Sequence, residues 1–298
     1  MYACGKEIRV EGTLCRVARL DADKYHFLRD PEPMLDALKK SRARIDLFSF
    51  LQKPPDTQPK YRYPMEWDNL AVLSISTFDE WWKKTIGFKA RNKAKQAQKK
   101  GAVIREVPFD EDLVRGIWEI YNETPVRQGR RFPHYGKSLD AVRKMSATYL
   151  DCSIFIGAFF EDKLIGFIKL TTDEERTQAG LMHIVSLIGQ RDKAPTNALV
   201  AQAVRSCAER NISQLVYSHF SYGKKETSSL SDFKERNGFQ RVDLPRYYVP
   251  LSPLGSLAFR LGLHRKFIEL LPGPVVAKAR EVRDSWYNRR FSAHAQES

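Results

Sequence analysis

Cysteine is scarce in this chain: Cys4, Cys15, Cys152 and Cys207 are the only four among 298 residues. None forms a CxxC pair or stands near a histidine at metal-ligand spacing, so no metal is expected. Cys152 and Cys207 fall inside apolar runs, where a cysteine serves as a small buried hydrophobe more often than as a nucleophile. Long hydrophobic runs are also missing. No stretch approaches the ~20 apolar residues needed to span a bilayer, and the N-terminus lacks the basic-then-apolar pattern of a signal peptide. The expectation is a cytoplasmic protein with no transmembrane segment.

Acidic residues are in deficit as well. Fifty Lys and Arg stand against 36 Asp and Glu, a formal net charge of +14. A field of that sign attracts phosphate-bearing partners such as a nucleotide cofactor, RNA or an anionic membrane surface, although a positive surface also simply aids solubility. The imbalance concentrates between Trp81 and Arg105, which hold nine Lys or Arg and no acid. Like charges at helical neighbour spacing repel, so an anion or an acidic neighbour would relieve them; a solvated helix face remains the alternative.

The hydrophobic content of 42% supports one large or two modest cores. Residues 6–20 pattern as a strand or hairpin, DPEPMLDALKKS as a helix, and RIDLFSFLQ and EWDNLAVLSIS as strands around a Pro-rich loop at 53–64. Thr77 with Asp79 and Glu80 caps a long helix predicted to reach Lys100. A strand (AVIREVPF), a helix from Asp110 to Tyr121 and a helix near 138–150 follow. Next comes an antiparallel meander: CSIFIGAFF, IGFIKLTT and LMHIVSLI. Thr196–Arg210 is a helix, QLVYSHF a strand, Ser229–Asn237 a short helix, and FQRVDLPRYYVPL a last strand. Two more helical patterns lie beyond Pro253, broken by LPGP.

This order resembles the GNAT acyltransferase fold, and local strings are similar to its FemAB-type, peptidoglycan-bridge aminoacyltransferase-like branch: RNKAKQAQKKGAVIREV at 91–107, IYNETPVRQGR at 120–130 and SDFKERNGFQ at 231–240. The resemblance covers about residues 80–252. It implies an α/β (α+β) protein with a mixed, mostly antiparallel sheet flanked by helices. The division expected is a 1–80 region that is possibly a reduced GNAT-like half, an 81–252 acyltransferase domain, and a 253–298 helical extension.

In GNAT enzymes the loop after the third meander strand cradles the pyrophosphate of acetyl-CoA, using helix N-terminal amides and the helix dipole. Here that loop is GQRDKAPTNAL. Gly189, Arg191, Lys193, Thr196 and Asn197 are the candidate cofactor residues, although the clustered glycines are absent and Thr196 and Asn197 also suit simple caps. The densest polar cluster is NETPVRQGRRFPHYG at 122–136. Arg127, Arg130 and His134 are candidates to bind a carboxylate or phosphate, Glu123 or His134 to take a proton, and Glu123 and Tyr135 to take part in catalysis; a loop tied by salt bridges is the alternative. Tyr222 sits where GNAT proteins often place a tyrosine near the leaving thiol, with His219 just before it. Lys234 matches the lysine of the family's phenylalanine-lysine element. His183, on a meander strand, reads as core more readily than as a base.

The leading expectation is an N-acyltransferase (N-acetyltransferase or aminoacyltransferase) moving a group from acyl-CoA (acetyl-CoA) or aminoacyl-tRNA to a small-molecule or peptide amine. The alternative is a non-catalytic protein that keeps the fold and binds RNA, tRNA included, or a peripheral membrane surface.

Overall fold

The computed structural model describes residues 1–221 and 228–265, together with Lys278 and Val282. In chain order the elements are β1 (Tyr2–Ala3), β2 (Lys6–Glu11), β3 (Val17–Leu20), α1 (Glu32–Lys40), β4 (Leu47–Leu51), β5 (Met65–Ser74), α2 (Phe78–Glu80) with a π-turn at Trp81–Thr85, and α3 (Phe88–Lys99). Then come β6 (Val103–Val107), α4 (Glu111–Asn122), β7 (Val126–Arg127), β8 (Arg130–Arg131), α5 (Leu139–Ser146), β9 (Ser153–Phe160), β10 (Lys163–Thr172) and β11 (Gln178–Ser186). A 3-10 segment (Ile188–Lys193) leads into α6 (Pro195–Glu209), β12 (Gln214–Val216), α7 (Ser229–Arg236), β13 (Gln240–Pro250) and α8 (Pro253–Arg260).

Two compact units divide the chain. Of the described residues, the first comprises 1–73, 216–221, 228–234 and 239–265; the second comprises 74–215 and 235–238, with Lys278 and Val282. In the first, the strands run β1-β2-β3-β4-β13-β5. There β3 and β4 pair in parallel, and β13 is antiparallel to both β4 and β5. The sequence 240–250, read as the end of the 81–252 segment, thus sits centrally in the sheet of the N-terminal region. Its unbroken burial from Leu244 to Val249 means that both faces of the strand are covered there. Met34, Leu35, Phe48, Phe50 and Tyr247 form the core of this unit.

The second unit is built on the meander the sequence foretold. β9, β10 and β11 pair antiparallel, with β6 on the outer side of β9. Glu161 and Asp162 both take positive φ, as a tight two-residue hairpin turn requires. Asp110 caps α4 by accepting from the Leu113 amide at 2.8 Å, and Leu113, Val114, Ile117, Ile120 and Tyr121 bury its inner face at helical spacing.

The helix predicted from Thr77 to Lys100 is broken. Thr77 caps α2, but Ile86 and Gly87 are extended before α3 begins. The Gly87 amide donates to the Arg236 carbonyl at 2.8 Å, and a β-carbon at Gly87 would lie 3.1 Å from the same oxygen. This close approach takes the backbone out of the helix. Beyond it, Ala90, Ala94 and Ala97 bury a narrow face of α3 and leave most of its lysines outward. Among the described residues no helix is long and apolar enough to cross a membrane.

Candidate functional site

The 122–136 cluster is the first test of the sequence reading. Glu123 ends α4, and its carboxylate accepts from the Ile188 amide at 2.7 Å and the Gly189 amide at 2.9 Å. Arg127 completes the knot by donating to Glu123 at 3.1 Å and to the carbonyls of Ile120 and Ser186, both at 2.7 Å. Its guanidinium also lies 4.6 Å from the centre of the Phe132 ring. Burial lowers the Arg127 pKa and the Glu123 charge opposes that effect. A carboxylate that accepts from two amides and a guanidinium is an anchor for the 186–189 backbone.

His134 stacks on Tyr121 at 4.5 Å between ring centres and meets His183 edge-on at 6.0 Å. Burial pushes His134 down to about 4, aided by the Lys137 and Arg127 charges. His183 is likewise lowered to about 4, by burial and then by His134 and Lys169. The pair is therefore neutral at pH 7, and the Nδ1 of His134 is buried without a hydrogen-bond partner. Arg130 and Arg131 are exposed on the β7–β8 ribbon, and Tyr135 is exposed beyond it. Lys169, on β10 opposite His183, was not foreseen. It is fully buried, donates to the Ser146 and Thr148 carbonyls at the end of α5, and is pushed down by burial to about 8. The signal was a lone lysine in the apolar run IGFIKL, and its place is that of a cation at a helix C-terminus.

In the 189–197 loop, the amides expected to meet a pyrophosphate are partly spent: those of Ile188 and Gly189 go to Glu123. Arg191 is exposed. Lys193 sits 4.1 Å from the centre of the Phe160 ring and 3.8 Å from Asp192. The Thr196 hydroxyl is 3.0 Å from that of Ser186, and no side chain caps α6, whose first turn includes Asn197. Glu123 thus takes two amides at the start of this loop, while the first-turn amides of α6 carry no side-chain cap. Cys207 is fully buried on α6, and burial pushes its thiol up to about 12, which suits packing only.

The first unit holds a cleft that sequence reading missed. Its volume is about 710 Å3, within the range of small-molecule sites. At its floor the buried Arg246 donates to Asp23 at 2.8 Å and to Asp68 at 2.7 Å. His219 Nε2 lies 3.2 Å from Asp68. Burial alone would raise the Asp68 carboxyl; the His219 hydrogen bond and the Arg246 charge outweigh it and hold the group well below the carboxylate range. Burial works against the Arg246 cation in turn, and the Asp23 and Asp68 charges more than restore it. Glu66 accepts from Arg265 at 2.6 Å and lies 3.1 Å from His264, while the Arg19 Nε is buried without a partner. These groups come from segments as distant as Arg19 and Arg265, so no local motif announces them.

Lys234 belongs to the same unit. It is fully buried, donates to the His219 carbonyl, lies 4.5 Å from the centre of the Tyr217 ring, and is lowered to about 8 by burial and by Lys24. It supports the backbone that carries His219. Tyr222 lies outside the described residues, as do the sequence patterns beyond Arg265 except for Lys278 and Val282. No group of three or more His, Cys, Asp or Glu among the described residues could hold a metal ion.

No protein-family model matches the sequence, and no curated protein matches it significantly. Solved structures are similar in fold. One is proposed to be the C-terminal domain (DUF2156) of a lysylphosphatidylglycerol synthetase from Agrobacterium fabrum, with a TM-score of 0.56 and 13% identity over 87% of this chain and 86% of that one. Another is L-PGS from Bacillus licheniformis, with a TM-score of 0.54 and 12% identity over 87% of this chain and 86% of that one. FemX is similar at a TM-score of 0.49 and 10% identity, covering 79% of this chain and 72% of its own. The architecture, a mainly antiparallel sheet flanked by helices with the meander leading through a loop into α6, is the GNAT-like fold.

Proposed function

We propose that this chain is an aminoacyltransferase that takes its acyl group from a charged tRNA and passes it to an amine. One observation carries the choice of donor: the Glu123 carboxylate takes the Ile188 and Gly189 amides, so two donors at the start of the loop expected to cradle the pyrophosphate of acetyl-CoA are already spent. The fold suits acyl transfer, and the net charge of +14 suits an RNA-borne donor. In the reaction the acceptor nitrogen forms a bond to the ester carbonyl carbon and the bond to the ribose oxygen breaks. The ammonium gives one proton to a base before attack, and the second proton that nitrogen loses passes to the ribose oxygen, which leaves as a hydroxyl. His219 is the base this reading selects. Asp68 lies 3.2 Å from its Nε2 and fixes the ring, in the arrangement of a carboxylate-oriented histidine.

Titration calorimetry with acetyl-CoA and free CoA tests the donor. The reading expects no binding heat from either, whereas micromolar binding of acetyl-CoA would overturn it.

A second reading places the acceptor at a membrane surface. Leu254, Leu257, Leu261 and Leu263 are all exposed along α8 and just beyond it, a stripe suited to an interface, and one similar structure carries lysylphosphatidylglycerol in its name. Co-sedimentation with phosphatidylglycerol vesicles, lost on replacing Leu257 and Leu261 by serine, would favour it; equal sedimentation of both forms would remove it.

A further inference from the structure

A groove on the second unit, apart from the candidate site described above, has the makings of a base-binding site. It encloses about 230 Å3, enough for one nucleobase, and is lined by Phe78, Trp82, Ala94, Gln98, Gln202 and Arg205 among others. Phe78 and Trp82 are half-buried and stack with ring centres 5.6 Å apart and planes inclined by 21°. The Arg205 guanidinium lies 3.8 Å from the centre of the Phe78 ring. Arg205 is exposed and makes no ion pair among the described residues, so its charge is free for another anion. Arg91 donates to the Trp82 carbonyl at 3.1 Å and fixes this wall to α3. The amides of Gln98 and Gln202 offer donors and acceptors of the kind that read base edges.

Charge on the adjoining helix points to the same occupant. Lys83 and Lys84 are paired to Asp79 and Glu80, and Lys100 to Asp192. Lys95 and Lys99 are exposed and have no ion-pair partner among the described residues. At about 100° per residue they stand on α3 just outside Gln98, along the side of the groove. Free cations beside a stacked aromatic wall with an arginine match a single-stranded nucleic acid, whose bases stack while its phosphates track the basic edge.

We propose that this groove binds one unstacked base of an RNA, with Trp82, Phe78 and Arg205 as the stacking surface and Lys95 and Lys99 on the flanking phosphates. The inference rests on the reading of the donor as a charged tRNA.

The test is fluorescence anisotropy of labelled, uncharged bulk tRNA and of a labelled single-stranded RNA 12-mer at several salt concentrations. Arg205→Gln is expected to weaken binding about fivefold, and Trp82→Ala about tenfold or more. The pair Lys95→Gln with Lys99→Gln should lower the salt slope by about 1 to 2. Should Trp82→Ala fail to fold, Gln98→Ala takes its place, with weakened binding of the 12-mer expected. Unchanged affinity in Arg205→Gln and in Trp82→Ala or its substitute would overturn the proposal. So would displacement of the 12-mer by free CoA at equal concentration, which would make the groove a nucleotide-cofactor pocket. Because the probe is uncharged, the outcome separates from that of the transfer reaction. Groove-dependent RNA binding by a protein that transfers nothing sinks only the function; transfer with groove-independent binding sinks only the groove.

Discussion

Replacing Glu123 with alanine removes one carboxylate that serves three donors. The amides of Ile188 and Gly189, at 2.7 and 2.9 Å, lose charge-assisted hydrogen bonds, and Arg127 keeps a largely buried guanidinium with only carbonyls to satisfy it. Each such bond is worth about 1.5–3 kcal/mol, and at about 1.4 kcal/mol per factor of ten each amide should exchange about 10- to 100-fold faster with deuterium. The whole substitution should cost about 2–4 kcal/mol, since the ion pair lies mostly out of solvent. The assay is amide exchange followed by NMR, read at Ile188 and Gly189 against the interior of β10 as an internal control. Freeing the two amides should also raise the affinity of this loop for inorganic sulfate above that of the native protein. Unchanged exchange at both positions would refute the anchoring role. Loss of transfer activity with exchange unchanged would return Glu123 to the catalytic residues.

Asp68→Asn strips the buried Arg246 of one of its two carboxylates and should cost about 3–5 kcal/mol in urea unfolding; a shift below about 1 kcal/mol would mean that Asp23 alone suffices. The His134 and His183 pKa values of about 4 lie below the unfolded value near 6.5. The unfolded chain therefore binds more protons between them, and stability should fall as pH drops from about 6.5 to 4. Replacing both histidines with phenylalanine should flatten that limb, and ring signals titrating near 6.5 in the native protein would contradict it. Lys169, at about 8 when folded and about 10.5 unfolded, carries its burial penalty in full below pH 8. The wild type should therefore gain on Lys169→Met as pH rises from about 8 to 10.5, by up to about 3 kcal/mol.

Much of the fold was legible because it is written in local periodicity. The meander from Ser153 to Ser186, the Asp110-capped α4 and the α6 helix all lie where their patterns put them. The break at Gly87 was not legible, because its cause is a carbonyl at Arg236, nearly 150 positions away. Placement of β13 between β4 and β5 hid for a similar reason: a buried central strand looks alike in whichever sheet receives it. Among the candidate site residues, the cluster at 122–136 did come together with the 186–189 loop, yet Glu123 and Arg127 meet backbone there. A charged pair that grips a turn and one that grips a substrate have the same sequence. The Asp23–Arg246–Asp68–His219 network draws on four separate segments, and only Lys169 among the unforeseen groups had a local signal.

Which donor yields product is the most direct test of the account. The protein is incubated with a pool of radiolabelled aminoacyl-tRNAs, and separately with radiolabelled acetyl-CoA, each with a panel of small amines and amino-terminal peptides. The account predicts label leaving the tRNA for an acid-soluble amide, lost on replacing His219 with alanine, and no product from acetyl-CoA. Label transferred from acetyl-CoA and never from tRNA would contradict it.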